Sequence, residues 1–175
     1  FDNAQVRRNG HDCWDTDALF THILEGLRAC RDAGKIPATM GIDTWAVDFV
    51  LLDKNGRAVG DAVAYRDPRT EGVRYQLETD DTLRFADHYA RAGIQYQPFN
   101  TAYQLAALKR EHPEQLEAAA HLLMMPEYLN YLLTGRMVNE YTNATSTALV
   151  NARTKTWDDE LVAAFHTRSA RGSGF

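Results

Sequence analysis

The stretch GIDTWAVDFVLLDKNGRAVGDAVAYRDPRT, Gly41 to Thr70, decides how the chain is built. Ile42, Trp45, Val47 and the run Phe49-Val50-Leu51-Leu52 are too densely apolar for a sheet with one wet face. Such a strand belongs inside a mixed or parallel sheet covered by helices. Ala38 to Trp45 is therefore expected as a core strand, and Ala46 to Asp53 as its extended continuation. Asn55-Gly56, between two apolar runs, is the strongest hairpin signal in the chain. Val59 to Arg66 is the expected returning strand. Asp43 and Asp48 interrupt the apolar pattern. An unpaired buried carboxylate costs several kcal/mol after relaxation, so each must point out of the core or serve a ligand.

Working outward, the segments on either side are helical. Leu19, Phe20, Ile23, Leu24 and Leu27 repeat at helical spacing, with Asp15 or Thr16 as cap and Gly34 as stop. Burial of those five side chains is worth about 7–15 kcal/mol before entropy, as an upper bound. Beyond Pro68, helices are expected over Glu71 to Leu77, Thr82 to Arg91, Ala102 to Glu111 capped by Thr101, Pro113 to Ala120, Glu127 to Leu133 and Asp158 to Phe165. Val138 to Tyr141 is expected as a short strand. Asn143 to Val150 is ambiguous, and Phe1 to Asp12 is weakly patterned. The last ten residues lack apolar periodicity and are expected to fray.

The chain has 175 residues and a net charge of −5, with 45% hydrophobic and 25% charged residues. Those values suit one ordinary globular domain. They carry no basic footprint for nucleic acid and no basic cluster for an anionic membrane. No apolar run reaches membrane-spanning length. Cys13 and Cys30 are the two cysteines; with no CxxC pair they read as reduced thiols of a cytoplasmic protein.

The common chemical motifs are missing. There is no GxxxxGK[ST] or GxGxxG phosphate loop, no GxSxG elbow and no metal-ligand spacing among the six histidines. A glycosidase pair is disfavoured, because Asp43 and Asp48 on one strand lie about 16 Å apart on opposite faces. Polar residues at strand ends point elsewhere, since open α/β sheets bind ligands there. Asp43, Thr44, Trp45, Ala46 and Asp48 fit one such end, and Arg66, Asp67 and Arg69 another. Carboxylates and guanidinium groups hydrogen-bond hydroxyls, and Trp45 can cover an apolar sugar face. The competing reading makes Asp67-Pro68-Arg69-Thr70 only a helix-entry turn with a local ion pair.

The string TWAVDFVLLD…AYRDPRT resembles the sugar-binding segment of the FGGY carbohydrate kinases, in particular their L-rhamnulose-phosphorylating branch. The similarity extends through RAGIQYQPFNTAYQLAAL, LLMMPEYLNYLLTGRMVNEYTNATSTALVN and WDDELVAAF, and back to NGHDCWDTDALFTHILEGLRAC, so that it spans Asn9 to Phe165. The resemblance implies an α/β fold, an actin-like or ribonuclease H-like domain with a central mixed sheet, a β-hairpin and surrounding helices, here incomplete. Residues 1–165 would be part of the N-terminal sugar-binding domain, and 166–175 a tail outside the family pattern.

The implied reaction moves the γ-phosphoryl of ATP, with Mg²⁺, to the 1-hydroxyl of L-rhamnulose. The family's phosphate loop, a DxGxxxxR-type hairpin at its start, and its catalytic Asp, in a C-terminal kinase domain, have no counterpart in this sequence. No catalytic residue and no protein-held metal are therefore expected here, and the isolated chain is expected to be inactive. Its alternative reading is a non-catalytic remnant or sugar-binding module. Ala46 stands where the family has a sugar-contacting glycine, and Gln104 and Ala107 where the wider family has Lys and Trp.

Overall fold

The computed structural model describes residues 1–165; the expected frayed, non-family tail lies outside the described residues. Two strands, β1 (Val6–Arg8) and β2 (His11–Cys13), form a hairpin that precedes α1 (Thr16–Asp32). Then follow β3 (Phe49–Leu52), β4 (Ala58–Val59), α2 (Val73–Thr79), α3 (Phe85–Ala92), α4 (Thr101–Glu111) and α5 (Pro113–Ala118). The last elements are β5 (His121–Met124), α6 (Met125–Thr134), α7 (Tyr141–Thr145) and α8 (Asp159–Ala164).

The sheet runs β4-β3-β5. Of the expected mixed sheet, the described residues supply these three strands, paired antiparallel. Residues 49–52 are buried on both faces, as their unbroken apolar run requires. Phe49 and Leu51 pack with Leu122, Met124, Leu105 and Leu108. Val50 and Leu52 turn the other way, onto Leu123, Met125, Trp14 and Tyr128. The hairpin turn falls at Asn55-Gly56 as expected, with Gly56 at φ +77° and Asp53 Oδ1 accepting the Asn55 and Arg57 amides. Pro113 and Pro126 open α5 and α6, and Gly93 and Gly135 close α3 and α6 in left-handed conformation.

Several sequence expectations are corrected. Ala38 to Trp45 is not a strand: it joins neither sheet of the described residues, and Met40, Gly41 and Asp43 are exposed. Val59 to Arg66 leaves the hairpin at Gly60. There a Cβ would meet Gln115 Oε1 at 2.1 Å, and φ is +74°. The chain then changes partner, exchanging bonds with the N-terminal hairpin through Trp14 N to Ala62 O (2.8 Å) and Ala64 N to Asp12 O (2.7 Å).

Val138 to Tyr141 forms no strand; α7 begins there instead, capped by Glu140. Strand β5 is a further departure, because HLLM is too short to show alternation and sits between two proline-started helices. The weakly patterned start hides β1 and β2 for the same reason. α1 forms where expected, with Asp15 Oδ1 accepting from Ala18 N at 3.0 Å, yet none of its residues is buried. The stabilisation assigned to its apolar face is therefore only partly realised.

Candidate functional site

The backbone makes a sharp corner just before β3. Asp48 N donates to Ala46 O at 2.9 Å, which closes a three-residue turn around Val47. Val47 has φ +66°, a region rarely entered by a β-branched residue. The corner alters what each side chain faces. Trp45, Ala46 and Val47, three consecutive residues, line one depression of about 570 Å³. A straight strand would send them alternately to opposite faces.

Tyr65, Arg66, Asp67 and Phe99 are on the same wall, with Pro68, Thr70, Glu71 and Pro98 completing it. Thus the two polar groups singled out in the sequence do meet, at Trp45, Ala46, Arg66 and Asp67. Tyr65 and Phe99 were not singled out. Their rings pack edge to face with centroids 5.6 Å apart, and the Arg66 guanidinium lies 5.1 Å above the Tyr65 ring while its Nε donates to Tyr65 Oη at 3.1 Å. The signal available was the aromatic residue immediately before Arg66 and the one in the PFN turn. An aromatic-rich wall with few polar groups is the usual composition of a small-molecule site. Asp43 and Thr44 lie instead in a neighbouring depression of about 620 Å³ with Glu127, Asn130 and Asn143; the two depressions share Trp45 and Ala46.

Asp48 does not reach either wall. It is 0% exposed. Its Oδ2 accepts from Trp14 Nε1 at 2.6 Å, Trp45 Nε1 at 2.9 Å and Tyr65 N at 3.2 Å, and its Oδ1 from Gln104 Nε2 at 3.1 Å. Burial raises its pKa above the usual carboxylate value, and these four donors only partly offset that. The direct-contact role expected of Asp48 is therefore corrected: its acceptors are spent on two indoles, one of which belongs to the wall.

Arg69 is corrected in the same way. It is 9% exposed, and its Nη2 donates to Gln104 Oε1 at 2.9 Å, so that Gln104 links Arg69 to Asp48. Burial lowers its pKa, opposed by the charges of Asp67, Asp48 and Glu111. Asp67 is largely buried beneath the wall. Burial pushes its pKa up, but the amides of Asp12 and Arg69 and the His11 ring outweigh that and hold it below the ordinary value.

Among the described residues no cluster of His, Cys, Asp and Glu could hold a metal ion. No described helix is long and apolar enough to cross a membrane.

The described residues thus form an α/β domain, a sheet covered by helices with an aromatic and charged depression beside it. The profile of the FGGY family of carbohydrate kinases, N-terminal domain, matches residues 3–170, and the chain belongs to that family. It is 53% identical over 164 residues to the rhamnulokinase of Halalkalibacterium halodurans, covering 94% of this chain and 35% of the relative. Against the rhamnulokinase of Oceanobacillus iheyensis it is 51% identical over 162 residues, 93% and 34% of the two chains. The chain thus spans about a third of these relatives' length.

Solved structures agree on the fold. The xylulose kinase of Rhodospirillum rubrum superposes with a TM-score of 0.81 at 20% identity, over 95% of this chain and 35% of that one. The gluconate kinase of Lactobacillus acidophilus gives 0.80 at 19% identity, over 98% and 35%.

Proposed function

We propose that residues 1–165 are part of the sugar-binding domain of a kinase that phosphorylates L-rhamnulose at its 1-hydroxyl from ATP. The observation that carries this reading is the wall on which Trp45, Ala46 and Val47 meet Tyr65, Arg66, Asp67 and Phe99. Aromatic faces cover the C–H side of a sugar, while charged groups receive its hydroxyls. Arg66 is exposed, held against Tyr65 through Nε with its Nη groups left to meet a hydroxyl; Asp67, pinned by three donors, supplies a fixed negative edge. L-Rhamnulose is favoured over other sugars by the identity to the two rhamnulokinases.

The residues present do not fit ATP or Mg²⁺ on their own: the sequence holds no phosphate loop, and no described cluster offers a metal site. We assign both, together with the catalytic base, to parts of the relatives that this chain does not span. Its own share of catalysis is positioning, which in phosphoryl transfer is a large share. A cytoplasmic location accords with the free thiols of Cys13 and Cys30.

The test is a titration of the chain with L-rhamnulose, followed by the NMR signal of the Trp45 indole N–H. Expected are a saturable shift of Trp45, Tyr65 and Phe99, and no ATP-dependent phosphorylation by the chain alone. If the sugar leaves all three unmoved at saturating concentrations, the assignment fails. Turnover by the isolated chain would show that it is more than a binding wall.

A further inference from the structure

We infer that Thr101 and Gln104 are positioning residues of the sugar wall: they hold the strained turn at Val47 without touching the depression themselves. This rests on the sugar-binding reading above.

The turn has every polar group of its central residue tied to another element. Val47 O accepts from Thr101 Oγ1 at 2.6 Å and from Gln104 Nε2 at 3.2 Å. Val47 N donates to Ser146 Oγ at 3.2 Å. Thr101 and Gln104 are 0% and 1% exposed, and neither lines the depression.

The sequence suggests another use for Thr101, as the cap of α4. In the structure it is already the first helical residue, and Asn100, which precedes it, makes no side-chain cap bond. Its hydroxyl crosses to Val47 instead. The two N–H groups of Gln104 Nε2 are shared among Val47 O, Asp48 Oδ1 and Phe99 O (2.9 Å), and its Oε1 accepts from Arg69. One amide thus ties the turn, the carboxylate that holds the Trp45 indole, and the backbone of the Phe99 ring. Three consecutive residues face the ligand only while the turn persists. A valine at positive φ leaves that conformation unless it is held. Strain at this corner with clamping groups behind it is the arrangement expected of a preorganised site.

The experiment compares Thr101→Val, Thr101→Ser, Ser146→Ala, Val47→Gly and Thr101→Val/Val47→Gly. Two readouts are used: L-rhamnulose affinity by NMR titration, and hydrogen exchange of the Asp48 amide in the sugar-free chain. Losing one clamp bond should weaken affinity about 5–30-fold and speed Asp48 exchange by the same factor, with Leu51 in β3 unchanged. Thr101→Ser should keep parental values. Glycine populates positive φ freely, so removing the Thr101 bond in the Val47→Gly background should change Asp48 exchange by no more than about twofold relative to Val47→Gly alone. Affinity is not compared across this pair, because Val47 itself lines the wall. Parental binding and exchange in Thr101→Val would overturn the inference. So would an Asp48 exchange rate that Thr101→Val raises as much in the Val47→Gly background as in the parent, since the clamp would then not be opposing strain at Val47.

If Thr101→Val does not fold, Ser146→Ala decides from the other end of the same peptide: unchanged exchange at Asp48 refutes the clamp. If the parent chain binds no sugar, the functional reading falls. The exchange data still judge the clamp.

Discussion

Helices α1 and α4 differ in a way their sequences do not announce. α1 has the cleaner apolar stripe, with Leu19, Phe20, Ile23, Leu24 and Leu27 along one side, yet none of its 17 residues is buried. α4 has a blurred stripe, and seven of its 11 residues are buried, including Tyr103, Gln104 and Leu105. A stripe records which side of a helix prefers to leave water. Whether another element covers that side is a separate matter. α4 is wedged among α5, α2, the turn at Pro68–Thr70 and the Val47 turn, so even its polar side chains are enclosed and must find partners.

The sharpest way to break this contrast is truncation of equivalent leucines. Leu105→Ala, at a fully buried position, should cost about 2–5 kcal/mol in urea unfolding. Leu24→Ala in α1 should cost less, about 1 kcal/mol, since that side chain is only partly buried. Similar losses at the two sites would mean that α1 is covered in solution.

The next effect concerns the polar centre of the α4 block. Asp48→Ala orphans the indole N–H groups of Trp14 and Trp45, at about 1–3 kcal/mol for each donor left buried. Intrinsic fluorescence should shift along with the unfolding midpoint. An unchanged spectrum would show that the carboxylate does not hold those rings.

Glycines at positive φ sharpen the comparison next. A Cβ on Gly56 would come within 2.1 Å of Tyr131 Oη, whose hydroxyl donates to Gly56 O. At Gly10, φ +88°, it would meet nothing within 4 Å. Both alanine variants carry left-handed strain of about 1–2 kcal/mol, and only Gly56→Ala adds a clash. Equal losses of Tm would remove Tyr131 from the account.

The smallest effect is a pH dependence. His88 is buried in the block, with Nε2 donating to Ala148 O at 2.6 Å and Nδ1 accepting from Tyr103 Oη at 3.3 Å. Burial lowers its pKa below the ordinary 6.5, partly opposed by the Ala148 carbonyl and Asp158. The unfolded chain therefore binds this proton more readily. Its stability contribution is complete above pH 6.5 and falls as pH drops from 6.5 through the lowered folded pKa. His88→Gln should flatten the stability profile there. A profile equally steep in the variant would move the titration to another group.

Local signals carried part of this molecule well. Asn55-Gly56 marks its own turn, because the geometry needs nothing beyond those residues. Pro113, Pro126, Gly93 and Gly135 mark helix ends for the same local reason. The long motif around TWAVDF and AYRDPRT is enough to place the chain in its family, and in the fold its two halves meet along one depression at Trp45, Ala46, Arg66 and Asp67. Ala38 to Trp45 failed as a strand and His121 to Met124 was passed over, since a strand exists only where a neighbour pairs with it, and neighbours lie far off in sequence. Which carboxylate stays buried was likewise decided in three dimensions. Asp43 and Asp48 sit in similar apolar company along the chain. Only folding brings Trp14, Trp45, Tyr65 and Gln104 around Asp48 and leaves Asp43 in water, because four donors from four separate segments are what make a buried carboxylate tolerable.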